Sequence, residues 1–396
     1  MKNILIFAFI CAITWYGCNE APIGQTPTDS TAPGQVRNYS FESLPGGARI
    51  TYELPGDEDL LCVKAVYHIN GIEKNVVSTL YNKSLEIEGF GTTEEQSVTL
   101  YCVDRSGNHS EPTAIRITPG TPPVTLIRES MTIDRGFGGI QLNWKNEAQA
   151  NVAIYFVAAD SIGDLSVADI LYTSVPDGKF NLRGFDDSER LFGVYVRDRW
   201  DNYSTTLLET HTPLFEVKLD KSLWSRGSFP GDNTSEYDGG NWSWNSMRDD
   251  ITDQDQGWHT GDGKSPMYFT IDLGVTTRLS RYTLWHRGND WFYRHHNPKK
   301  WKVYGSANPN FAEQSEAYWT GEGFRNDWHL LAECESFKPS GDDSPLTQAD
   351  RDYARLGFEF ELPLDAPAVR YIRFHVEENW SGGDNLHIAE LSFWGQ

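Results

Sequence analysis

Apolar residues fall at every second position through much of this chain, the spacing of strands with one face buried. Val98, Leu100 and Cys102 form one such run, and Ile140, Leu142 and Trp144 another. Later runs cover residues 267–273, 279–286, 301–305, 358–362, 369–376 and 388–394. Gly, Pro and Asn punctuate the runs where a chain must turn. Proline clusters at Pro119-Gly-Thr-Pro-Pro123 and at Thr212-Pro213 mark boundaries. Beyond Pro213 the strand-like runs are separated by long loops rich in Gly, Asp and Trp. The pattern predicts an all-β protein whose last domain carries elaborate loops, the usual seat of function.

An internal repeat supports that division. Tyr101-Cys-Val-Asp104-Arg105-Ser-Gly-Asn108-His-Ser110 aligns with Tyr195-Val-Arg-Asp198-Arg199-Trp-Asp-Asn202-Tyr-Ser204. Arg49-Ile50-Thr51-Tyr52 aligns with Gln141-Leu142-Asn143-Trp144, and Gly89-Phe90 with Gly184-Phe185. The offset of about 92–95 residues is the size of one immunoglobulin or fibronectin type III sandwich. Two such sandwiches are expected, at 34–120 and 121–213, followed by a third domain at 214–396. Cys102 aligns with Val196, so an apolar residue suffices there and a buried free thiol is expected rather than a Cys62–Cys102 bridge.

Composition narrows the function. The formal net charge is −22, which repels nucleic acid and argues against a general polyanion binder. Aromatics reach 13% with 14 Trp, implying large cores, exposed stacking platforms, or both. Lys2 followed by an apolar run from Ile4 to Ile13 is an export signal too short to span a bilayer. Gly17-Cys18 at its end resembles a bacterial lipobox, which implies a signal peptide at 1–17 and lipidation of Cys18. Residues 19–35, rich in Pro, Thr, Gly and Ser, read as a flexible tether, placed at 18–33.

Three segments of the last domain resemble discoidin (coagulation factor type C) domains and family 32 carbohydrate-binding modules. They are Phe269-Thr-Ile-Asp272-Leu-Gly274 with Leu279–Trp285, Lys302-Val-Tyr-Gly305-Ser306, and Arg370-Tyr-Ile-Arg373-Phe with Glu390-Leu-Ser-Phe-Trp-Gly395. The chain as a whole resembles a Bacteroidetes family of surface lipoproteins. The residues carrying that likeness are Gly138-Gly139-Ile140, Arg197-Asp198-Arg199-Trp200, Asn297-Pro298-Lys299 and Lys338-Pro339-Ser340-Gly341. The resemblance implies two Ig/fibronectin-III-like β-sandwiches followed by a discoidin-like jelly-roll β-sandwich. It also implies glycan capture beside outer-membrane glycan importers, at the cell surface, with no catalytic residues to carry over.

Two candidate sites follow. Discoidin-like sugar binders hold a structural calcium between an early acidic loop and a late Glu, which here implies Asp249, Asp253 and Glu390 as ligands of one Ca²⁺. The segment Arg287-Gly-Asn-Asp290-Trp291-Phe292-Tyr293-Arg294-His295-His296 sets three adjacent aromatics among cations in an acidic protein. Trp291 or Tyr293 is expected to stack on a sugar face, with Arg287, Arg294 and His295 supplying polar contacts and favouring uronate-containing polysaccharides. Trp242, Trp244, Trp319, Trp328 and Trp380 are further aromatic candidates. His295-His296 is discounted as a metal site, because adjacent side chains diverge on a strand.

No His-Glu-x-x-His or Gly-x-Ser-x-Gly occurs, and Gly263-Lys264-Ser265 lacks the spacing of a phosphate loop. The expectation is a non-catalytic, lipid-anchored outer-membrane protein that binds polysaccharide. A protein–protein adaptor or adhesin and a polysaccharide hydrolase or lyase are its rivals.

Overall fold

The computed structural model describes residue 27 and residues 29–252 and 255–396. Cys18 and the export signal lie outside the described residues. The described chain is built from antiparallel sheets, with short helices at Pro123–Ser130, Glu316–Thr320 and Gln348–Arg355. It divides into two compact units. One takes in residues up to 132 with 143–179 and 192–209, and the other takes in 133–142, 180–191 and 210–396.

In the first unit, strands Arg37–Leu44, Gly47–Glu53 and Ser84–Glu88 form one sheet. Ile72–Thr79, Leu60–Ile69, Gln96–Asp104 and Thr113–Ile117 form the other, in that order. Ile50, Tyr52 and Ile87 from one sheet meet Val63, Ala65, Leu100 and Cys102 from the other in a shared core. Cys62 pairs with Val103 across the ladder while Cys102 pairs with Val63. Neighbours on a strand face opposite ways, so the two thiols point to opposite faces and both are free.

The repeat survives as hydrogen bonding. Asn108 donates its backbone N–H to Asp104 at 2.8 Å and its carboxamide to the same side chain at 2.9 Å. Asn202 does the same to Asp198 at 3.0 and 2.8 Å. Ser110 and Ser204 accept from Cys102 and Val196 at 3.0 and 2.9 Å. One turn chemistry is therefore used twice, and the repeated residues are those that make it.

In the second unit a four-stranded sheet runs Val217–Lys218, Glu390–Gly395, Leu279–Trp285, Phe358–Glu361. A five-stranded sheet runs Ser225–Arg226, Met267–Thr277, Val369–Asn379, Pro298–Ser306, His329–Glu335. Ile271, Val303, Ile372 and Phe374 from the second sheet pack on Tyr282, Leu284, Leu391 and Phe393 from the first. Phe269 and Phe374 stack with centroids 4.6 Å apart. A second aromatic core of Phe229, Tyr268, Trp319, Phe324 and Trp328 surrounds the fully buried Arg373. Arg373 pairs with the equally buried Asp232 at 2.5 Å and donates to Thr270 and to the Trp319 carbonyl. Trp319 and Trp328 are thus core residues.

Candidate functional site

The site grows from the shortest ladder of the second unit, Trp258–His259 against His387–Ile388. His259 stands directly opposite His387. Trp258 is fully buried, with its ring against Phe269 and its indole N–H on the Ser235 carbonyl at 3.1 Å. Two loops hang from this ladder. Tyr237 donates its N–H to the His259 carbonyl, and His259 donates its own to the Trp242 carbonyl, which fixes the loop 237–242. On the other side His387 donates its N–H to the carbonyl of His296 at 2.9 Å, which fixes the loop 287–297.

The second loop is not a strand. It opens with a 3-10 turn over Asn289–Trp291 and then takes left-handed backbone at Tyr293 (φ 51°) and His295 (φ 58°). Left-handed backbone at non-glycine residues is uncommon and needs outside support. Buried Asn297 supplies it: its Nδ2 donates to the carbonyls of Trp291 and Arg294 at 2.8 and 2.9 Å, and its Oδ1 accepts from the N–H of Arg287 at 2.9 Å. This curl brings the rings of His295 and His296 within 4.3 Å of each other, centroid to centroid. The expectation that they diverge fails because it assumed strand geometry.

Between the loops lies a pocket of about 440 Å³ walled by Tyr237, Trp242, His259, Gly261, Arg287, His295, His296 and Asn385. A larger cleft of about 650 Å³, lined in part by Tyr172, Val175 and Arg197, has no comparable gathering of chemistry. The Arg287 guanidinium lies 4.7 Å from the Trp242 ring and 4.2 Å from the Trp291 ring, while its Nε donates to Asp255. It therefore orients both indoles. Trp291 also meets His295 edge to face at 5.1 Å. Trp242 and Trp291 are half-buried and Tyr237 is exposed, so each keeps ring surface in solvent.

The imidazoles around this pocket are held neutral. Burial, reinforced by neighbouring histidines and Arg287, lowers His259 to about 4. Burial and then His259 push His387 well below its ordinary range, and burial also lowers His295 and His296. Nε2 of His259 and Nδ1 of His296 are hydrogen-bonded at 2.8 Å.

Several expected residues behave otherwise. Tyr293 is buried, and its hydroxyl donates to the Phe337 carbonyl at 3.0 Å. Its ring packs edge-on against His286, Phe358 and Trp380, so it braces the loop and presents no face to a sugar. Arg294 is exposed, its guanidinium 5.9 Å from the Trp291 ring. Trp244 is buried, and Trp380 donates to Ser336 beneath the Lys299 ammonium.

Of the expected calcium ligands, Glu390 and Asp249 make bonds within the protein. Buried Glu390 accepts from Lys221 Nζ at 2.6 Å and from the N–H of Asp250 at 2.7 Å. Lys221 Nζ also donates to Asp250 at 2.6 Å. Asp249 turns to the N–H of Ile251, and Asp253 lies outside the described residues. The Lys221 ammonium thus bridges Glu390 and Asp250. Sequence reading overlooked Tyr237, His259, Asn385 and His387 because they sit far apart in the chain.

Three family models match in succession, each described as a domain of unknown function: DUF4959 over residues 33–119, DUF5126 over 120–222 and DUF5000 over 244–395. No curated protein matches the chain. Among solved structures, a pair of fibronectin type III domains from chicken tenascin is 11% identical, over 45% of this chain and 99% of that one, with a TM-score of 0.24 that carries no weight. A SusE-like protein is 30% identical, covering 69% of this chain and 99% of that one, with a TM-score of 0.43. Sequence identity at that level, over nearly the whole of that protein, means that the chain belongs to the SusE-like family.

Proposed function

We propose that this protein is a non-catalytic glycan-binding lipoprotein of the outer-membrane surface, accessory to polysaccharide capture. Cys18 anchors it, the segment after Cys18 gives reach, and the loops of the C-terminal domain hold the sugar. The observation that carries the reading is the pair of indoles, Trp242 and Trp291, set by one guanidinium beside a polar pocket. Sugars offer apolar C–H faces to aromatic rings and hydroxyls to planar polar groups, and this pocket presents both. Membership of the SusE-like family supports the same reading, as does the likeness of the last domain to discoidin-like sugar binders. Among the described residues no helix is long and apolar enough to cross a membrane.

Exposed Arg294 beside Trp291 favours glycans bearing carboxylates. Calorimetric titration of the full chain with a panel of neutral and uronate-containing oligosaccharides tests the proposal. Saturable binding that weakens at least tenfold in Trp242→Ala, about 1.4 kcal/mol, is expected. A ligand bound equally well by Trp242→Ala and Trp291→Ala, both folded, places the site elsewhere.

A further inference from the structure

The wall of this pocket contains more unpaired nitrogen than a sugar site needs. One ring nitrogen from each of His259, His295 and His387 lies within 4.8 Å of the other two. Nδ1 of His259, Nδ1 of His295 and both ring nitrogens of His387 are buried and meet no hydrogen-bond partner within the protein. His387 is completely buried. The backbones of Gln256 and Thr260 approach His387 and His259 without reaching hydrogen-bond geometry. Buried polar atoms nearly always find partners, and four orphaned nitrogens on three neighbouring imidazoles require an explanation.

We infer that His259, His295 and His387 bind one divalent transition-metal ion, with zinc the ion best suited to the donor set. Neutral imidazole nitrogen is a borderline-soft ligand that suits zinc and its first-row neighbours, whereas calcium and magnesium take oxygen. Zinc–nitrogen bonds of about 2.1 Å place tetrahedral ligand atoms about 3.4 Å apart. The three nitrogens therefore close by about 1.4 Å at most, which small ring rotations supply.

The backbone is already arranged for this. Two of the ligands face each other across the ladder, and the third is delivered by a loop whose neighbouring carbonyl, that of His296, is tied to the N–H of His387. His296 engages Nε2 of His259 and leaves Nδ1 of that ring without a partner. A ligand histidine is commonly oriented by such a contact on its other nitrogen. The nearby cation Arg287 is paired with Asp255, which limits its repulsion of a metal. His259 and His295 line the pocket while His387 stands behind them, so the remaining coordination position of the ion opens toward the pocket. Three protein nitrogens with one open position is the arrangement by which zinc takes up an exogenous oxygen ligand. The inference rests on the imidazoles and is independent of what the pocket holds.

The test is zinc binding by the purified full chain, stripped with chelator and free of any glycan, followed by calorimetry and by elemental analysis after dialysis. One equivalent of zinc is expected, with a rise in melting temperature and no comparable response to calcium or magnesium. Cobalt as a probe should give the intense visible bands of a four-coordinate site. His295→Ala, at a half-buried position, should weaken zinc binding at least tenfold and abolish the cobalt bands. His387→Gln should do the same, and His329→Ala, at an exposed position, should change nothing. Failure of the wild-type chain to take up one equivalent overturns the site. So does binding that a folded His295→Ala variant retains in full.

Discussion

The carboxamide of Asn297 donates to the carbonyl of Trp291 at 2.8 Å, six residues back along the chain. With its bonds to Arg287 and Arg294 it closes the loop that carries one indole and two imidazoles of the pocket. Asn297→Ala removes three hydrogen bonds at a fully buried position and leaves their partners unsatisfied. A loss of about 3 kcal/mol is expected in chemical denaturation, with ligand binding lost as well. Asn297→Ala with unaltered stability would show that the loop holds its curl by other means.

Tyr293 separates bracing from binding. Tyr293→Phe keeps the ring packing and loses only the bond to Phe337, so a cost near 1 kcal/mol with normal ligand affinity is expected. Tyr293→Ala empties a packed site and should cost about 3–5 kcal/mol. Weakened sugar binding by a stable Tyr293→Phe protein would return the hydroxyl to the binding surface.

Calcium should leave the melting curve unchanged through Glu390, because Lys221 already occupies that carboxylate. Burial pushes the Glu390 carboxyl up to about 7 despite the ammonium beside it. Lys221→Met should destabilise the protein by about 3–5 kcal/mol, the usual consequence of orphaning a buried ionic partner. A calcium-dependent rise in melting temperature abolished by Glu390→Gln would reverse this assignment.

Asp350 gives the pH dependence. It is buried at the start of helix Gln348–Arg355 and accepts four hydrogen bonds, from the backbone and hydroxyl groups of Ser340 and Thr347. Burial alone would raise its carboxyl, but these bonds outweigh burial and hold it well below its ordinary value. A depressed carboxylate stabilises the fold above its unfolded pKa of about 3.9, and that stabilisation drains away as pH falls through the folded value. Asp350→Asn should therefore cost about 2 kcal/mol at pH 7, with the gap to wild type narrowing below about pH 4. A gap that stays constant down to pH 2 would refute the linkage.

The Asp232–Arg373 pair sits in an aromatic shell with no exposure on either side. Asp232→Ala should cost about 3–5 kcal/mol by stranding the guanidinium, and Asp232→Leu with Arg373→Met should recover part of that. Thermal melts of the single and double variants measure the coupling directly. No recovery would mean that Trp319 and Thr270, both bonded to Arg373, carry the cost instead.

Strands with a strict two-residue period were legible in the sequence. The run read at 369–376 is the central strand Val369–Asn379, and that read at 279–286 is Leu279–Trp285. The repeat was legible because Asp, Asn and Ser make the same turn bonds in both copies. The loop 287–296 was marked by its composition, and the structure brings Arg287, Trp291 and His295 of that loop together. Tyr293 was misjudged because a solvent-facing ring and a bracing ring look alike in sequence. The facing of His259 and His387 was invisible, since a two-residue ladder has no period and its strands lie more than a hundred residues apart. The isolated pairs Trp258-His259 and His387-Ile388, each a histidine beside a large apolar residue, were the only local signal.

That ladder also gives Trp258 a role beyond packing. A strand has only two faces, so sliding it by one residue would turn His259 away from His387 and set an indole in its place. With two residues per strand, the ladder's own hydrogen bonds are too few to prevent such a slip. The clamp is the Trp258 side chain, seated against Phe269 and Trp244 and bonded to Ser235. Trp258 is therefore a registration pin: a smaller residue there would leave every pocket side chain in the sequence yet misalign the two histidines on which the site is built.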